Sequence, residues 1–217
     1  DGVSKGTATG VYTNSAANWV IGKWNNGANY FNGAISQVSI FDYALTDGTA
    51  GTVDQISYLY NLNNPMAIDG AEPIAYWPLG DNSNPVATAG YPNISVGADS
   101  VFEFDTGGER IDLGLESDVA GMGGASKYSV SLWFKKASSA SGSLWGYNYG
   151  DANGSGWYFW SNAGKGKFSM GKNGLTNTFA QFEIPLVDLP NGEWQHVVGV
   201  FDGTLPSGDD RLKVYHN

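Results

Sequence analysis

A chain of 217 residues with Gly 31, 14% aromatic and only 15% charged residues suits many short strands joined by tight turns, as one large all-β domain or two small ones. Its net charge of −10, with Lys+Arg 11 against Asp+Glu 21, argues against a nucleic-acid partner, because phosphate contacts need clustered cations. Cys 0 removes disulfides, thiolate metal sites and cysteine nucleophiles, and no apolar run approaches the roughly 20 residues of a bilayer span, so membrane insertion is not expected.

In chain order, Ala34–Phe41 is the first clear strand, with Ile35, Gln37, Ser39 and Phe41 alternating against Ala34, Ser36, Val38 and Ile40. Thr49–Tyr60 carries Val53, Ile56, Tyr58 and Leu59 at nearly helical spacing after the Ala44–Asp47 turn, which predicts a short helix. From Asn61 to Glu72 the chain is polar and without sustained period, and it reads as a linker. Tyr128–Lys135 alternates Tyr128, Val130, Leu132 and Phe134 against Ser129, Ser131, Trp133 and Lys135, the pattern of a central strand. Trp194–Asp202 and Leu212–His216 are two further strands, joined by a loop rich in Gly, Pro and Asp. Trp133 and Trp194 are expected in the core.

The order of these segments resembles a laminin-G-like domain that has been cyclically shifted. Ile74-Ala-Tyr-Trp-Pro-Leu-Gly-Asp81, Tyr128-Ser-Val-Ser-Leu-Trp-Phe134, Trp194-Gln-His-Val-Val-Gly-Val-Phe-Asp-Gly203 and Leu212-Lys-Val-Tyr215 resemble the first two thirds of such a domain. The closing third resembles the N-terminal Trp19-Val-Ile-Gly22, Tyr30–Phe41 and Ala44-Leu-Thr46. The resemblance implies an all-β, two-sheet antiparallel jelly-roll sandwich of concanavalin A-like type. Residues 1–60 would be its C-terminal third, 61–72 a linker, and 73–217 its N-terminal two thirds.

Joining the ends would run Leu212–Asn217 into Asp1-Gly2-Val3, and Asn-Asp-Gly is turn chemistry between two strands. Three arrangements remain open: a circular permutation, one unit of a tandem array, or halves that complete sandwiches between chains. The passage from Leu59-Tyr60-Asn61 into Pro73-Ile-Ala-Tyr-Trp resembles the joints of repeated modules in phage and bacterial surface proteins. That resemblance implies an extracellular, cell-surface or virion-surface setting, with neighbouring copies of the module as partners in a homo-oligomer or filament. The Asp1–Lys5 stretch has no basic-then-apolar pattern of a signal peptide, so an export address is expected outside this sequence, or export as part of a larger assembly.

Aromatic residues concentrate between Trp145 and Trp160. Sugar rings stack on aromatic faces while amides and carboxylates hold hydroxyls. Trp145, Tyr147, Asn148, Tyr149, Asp151 and Asn153 are therefore the expected contacts to glycans or a host-surface polysaccharide. Alternation sends Trp157 and Phe159 to one face, and Tyr158 and Trp160 to the other.

No catalytic residues are expected. One family of glycoside hydrolases on the resembled fold carries Glu-x-Asp-x-Glu on one strand, whereas Glu103-Phe-Asp105-Thr-Gly107 has glycine at the second acid. His196 and His216 read as strand residues satisfied locally. No cofactor is expected. A structural calcium is implied by the resemblance, with oxygen ligands available at Asp81, Asn82 and Asp99, but Ser36 stands where an acid is usual, directly after Ile35.

Overall fold

The computed structural model describes residues 4–8, 18–23, 30–61, 64–68, 72–78, 102–104, 110–115, 127–138, 142–147, 155–160, 165–170, 180–205 and 211–216. Its strands are β1 (Ser4–Ala8), β2 (Asn18–Ile21), β3 (Gly33–Phe41), β4 (Ala75–Trp77), β5 (Phe102–Phe104), β6 (Ile111–Leu115) and β7 (Lys127–Lys136). They continue as β8 (Gly142–Tyr147), β9 (Ser155–Trp160), β10 (Lys165–Met170), β11 (Ala180–Pro185), β12 (Gln195–Asp202) and β13 (Leu212–His216), and the one α-helix among the described residues is α1 (Gln55–Tyr60).

Two antiparallel sheets form the sandwich. One runs β1-β13-β12-β7-β3-β4, with β5 also on β3, and the other runs β11-β10-β9-β8-β2-β6. Both sheets mix the two ends of the sequence. β1 pairs with β13 from Ser4↔Tyr215 to Ala8↔Leu212, β2 lies between β6 and β8, and β3 lies between β7 and both β4 and β5. In this structure one chain closes its own sandwich.

β7 behaves as its alternation requires. Tyr128, Val130, Leu132 and Phe134 enter the core between the sheets, with Trp19, Ile21, Ile35, Val38, Ile40, Leu144, Trp145 and Val214. β3 departs from strict alternation. Ser36 pairs with Trp133 and Ser39 with Ser131, so Gln37 and Val38 together oppose Leu132. This bulge carries Gln37 at φ 50 and reverses the facing of everything after it. Val38 and Ile40 consequently join Ile35 in the core, where unbroken alternation would have put Gln37, Ser39 and Phe41.

The outer face of the first sheet holds a second apolar cluster of Phe41, Leu45, Ile56, Leu59, Ile68, Val198, Val200 and Tyr215. The expected helix over 49–60 is split into a 3-10 turn at Thr49–Gly51 and α1, with Gly51 at φ 79 between them. The six residues of α1 are too few for a helix stable by itself. Burial of Ile56 and Leu59 supplies about 1.5–3 kcal/mol each, and Asp54 caps the first turn by accepting from Ser57 N at 2.8 Å.

The segment read as a linker is fastened to the same face. Pro65 is buried at the start of a 3-10 turn, Pro65–Ala67, and Ile68 is 4% exposed in the outer cluster. The two tryptophans expected in the core lie elsewhere. Trp133 is half-buried on the outer face, stacked on His196 at 4.9 Å, and Trp194 is 38% exposed beneath the Lys135 ammonium. Trp194 falls short because it stands one residue before β12 begins.

Candidate functional site

β8 and β9 form an antiparallel hairpin from Gly142↔Phe159 to Tyr147↔Ser155, so the stretch 148–154 joins their ends. Trp145 lies inside the sandwich at 0% exposure, edge-on to Trp19 with ring centroids 4.3 Å apart. The expectation that Trp145 contacts a sugar is therefore corrected: its ring belongs to the core. A register shift between Ser143 and Trp145 is the cause, since it buries Leu144 and Trp145 in succession. Tyr147 ends β8 in register with Trp19. Asn148, Tyr149, Asp151 and Asn153 lie outside the described residues.

Strand register identifies another set of positions. Trp145 pairs with Trp157, Trp157 with Phe168, and Phe168 with Phe182, so these four share the line of the buried tryptophan. The next line runs Gly142, Phe159, Gly166 and Ile184, and Ile184 is also in the core. Between these two core-facing lines, Tyr158 pairs with Lys167 and Lys167 with Glu183. Beyond the second, Trp160 pairs with Lys165. Alternation puts positions 158, 160, 165, 167 and 183 on the face of the second sheet turned away from the core. Gly146 pairs with Gly156 and is buried.

Alternation within one strand separates positions 158 and 160 from positions 157 and 159 but cannot join them to positions 165, 167 and 183. The signal available was the pattern Lys165-Gly-Lys167-Phe. Which strand it met was not in the sequence.

Both histidines are held locally, as expected. His216 Nε2 and Gln195 Oε1 are 2.7 Å apart. His196 Nε2 and Ser131 Oγ are 2.8 Å apart, beneath a stack in which Tyr60 covers Trp133 at 5.9 Å and Trp133 covers His196. A serine and a histidine at this separation resemble a nucleophile and its base. Here Ser131 and His196 are each 2% exposed, and burial above all holds the imidazole pKa down at about 3. A general base needs a pKa near its working pH and a route to substrate, so the pair is a structural bond.

Glu103 lies in β5 in register with Ala34, while Asp105 and Gly107 are outside the described residues. Asp81, Asn82 and Asp99 are outside them too. Among the described residues, no group of three or more His, Cys, Asp or Glu could hold a metal ion. At the position where the resemblance implies an acid, Ser36 Oγ donates to the Pro78 carbonyl at 3.2 Å. A neutral hydroxyl committed as a donor does not fit the charged oxygen that a hard cation requires.

A family model described as "Concanavalin A-like lectin/glucanases superfamily" matches residues 105–217. The match takes in β6 to β13, while β1, β2 and β3 lie outside it and still occupy places in both sheets. No curated protein and no solved structure matches the chain.

Proposed function

The chain belongs to the concanavalin A-like lectin/glucanase superfamily, and from that premise we propose that it is a non-catalytic glycan-binding or adhesion module. The observation that carries this reading is the register of the second sheet, which sets Tyr158 and Trp160 on one face with Lys165, Lys167 and Glu183. Rings offer stacking surfaces to the C–H faces of a sugar, and charged neighbours offer donors and acceptors for its hydroxyls.

The reading places the module outside the cell, on a cell or virion surface, within a repeated fibre-like protein. Its partners are glycans or a host-surface polysaccharide and neighbouring copies of itself. Its non-catalytic character is supported by glycine at position 107 of the Glu103-Phe-Asp105-Thr-Gly107 run.

A glycan array, followed by titration of the strongest ligand, tests the proposal. Tyr158→Ala and Trp160→Ala are expected to weaken binding at least about tenfold, equivalent to about 1.4 kcal/mol, with the melting temperature kept. Absence of binding to every glycan would overturn it, and so would binding that both variants leave intact. A purely structural role as a filament subunit is the second reading. It is favoured by the exposure of Val187 at 84% and Trp194 at 38% in the 186–194 segment, apolar surface suited to burial between copies.

A further inference from the structure

Two donors converge on one carbonyl at the rim of the first sheet. Gln37 N donates to Pro78 O at 2.9 Å, and Ser36 Oγ donates to the same oxygen at 3.2 Å. Pro78 immediately follows β4, which pairs with β3 at Val38↔Trp77. The bulge brings the donors together: the extra residue in β3 turns the backbone at Gln37, whose φ of 50 is the one positive value among the described non-glycine residues. Positive φ in a non-glycine residue persists only where the surroundings hold it, and here it is held by the ladder on both sides and by the Pro78 carbonyl.

A carbonyl oxygen has two lone pairs, and these two donors engage both. Calcium takes six to eight oxygens with their lone pairs turned towards it, among them carboxylates that supply negative charge. Ser36 and Pro78 meet neither condition, because the hydroxyl is neutral, its proton lies on the carbonyl, and the carbonyl is already fully used.

We infer that Ser36 and Gln37 fasten the Pro78 carbonyl, and with it the exit of β4, through hydrogen bonds alone, so that this rim position holds no divalent cation. The hydroxyl does by direct bonding what a carboxylate would do through a metal. The inference is independent of whether the opposite sheet binds a glycan.

Thermal unfolding of the full chain in EDTA and in millimolar calcium chloride tests it, with Ser36→Ala and Ser36→Thr alongside. The unaltered chain is expected to melt at the same temperature in both buffers. Ser36→Ala should melt about 2–4 °C lower in both, the shift that loss of one hydrogen bond brings in a domain of this size. Ser36→Thr, which keeps the hydroxyl, should restore the melting temperature. A calcium-dependent rise in the unaltered chain that Ser36→Ala abolishes would overturn the inference, and so would Ser36→Ala melting with the unaltered chain in both buffers.

Discussion

Trp19 and Trp145 meet edge to face inside the sandwich, 4.3 Å between ring centroids at an interplanar angle of 61°. One comes from β2, near the start of the sequence, and the other from β8, across the in-register pair Ile21↔Trp145. Both are 0% exposed. Trp145→Ala should therefore cost about 3–5 kcal/mol, as removal of a buried large aromatic does, and Trp19→Ala a similar amount. The two losses should be less than additive, because either variant already breaks the shared contact. Urea unfolding of both single variants and the double variant checks this.

Burial of His196 against Ser131 makes stability pH-dependent. It holds the folded His196 pKa at about 3, against 6.5 for the free side chain. Between those values the unfolded chain binds a proton that the folded chain refuses, so stability is fully present above about pH 6.5 and is lost as pH falls towards 3. The loss should be on the order of a few kcal/mol, read from urea midpoints at a series of pH values. In His196→Asn the slope between pH 6.5 and about 4 should flatten. Among the described residues, Asp47 and Asp202 add acid sensitivity of their own at lower pH. Burial pushes both carboxyls up, but hydrogen bonds from Thr49 and Tyr215 to Asp47, and from Lys127 and Thr204 to Asp202, outweigh it and hold both below the ordinary 3.8.

Two glycines should respond very differently to a methyl group. At Gly33, φ is +146 and an added Cβ would lie 2.1 Å from Lys135 O and 2.8 Å from Lys136 Cα. Both atoms are backbone of β7 and cannot move aside. At Gly192, φ is +77 and a Cβ would meet nothing within 4 Å. Gly192→Ala should cost only the left-handed backbone penalty of about 1–2 kcal/mol, whereas Gly33→Ala should disrupt the β3–β7 pairing and cost clearly more. Comparing their denaturation midpoints checks the difference.

Lys127 and Asp202 form an ion pair at 2.8 Å, with side chains 40% and 18% exposed. Such a pair contributes about 0–1 kcal/mol. Lys127→Met should lose no more than that, with the loss shrinking in about 1 M salt, where the screening length falls to about 3 Å. Asp202→Ala should lose more, since its Oδ1 also accepts from Thr204 N at 3.0 Å and holds the turn after β12. Melting curves of the two variants at low and high salt separate these effects.

Much of the fold was legible because period-two alternation reports which side of a strand is buried. β7, β12 and β13 appear within a residue of where Tyr128–Lys135, Trp194–Asp202 and Leu212–His216 placed them. The opening strands β1, β2 and β3 pair with strands that follow Glu72. The bulge at Gln37 was not legible, because a single extra residue leaves composition and spacing unchanged while inverting the faces of Val38 to Phe41. The burial of Trp145 was hidden for the same reason: a register shift beside Ser143 turned a loop-adjacent ring inward.

Sequence alone thus determined the class of layers and the strands that make them, since alternation is a local property written in consecutive residues. Tertiary structure decided the lateral neighbours: Tyr158 beside Lys167 and Glu183, His196 against Ser131, Ser36 on the Pro78 carbonyl. Most of those partners lie far apart along the chain, and only the register of the folded sheets brings their backbones side by side.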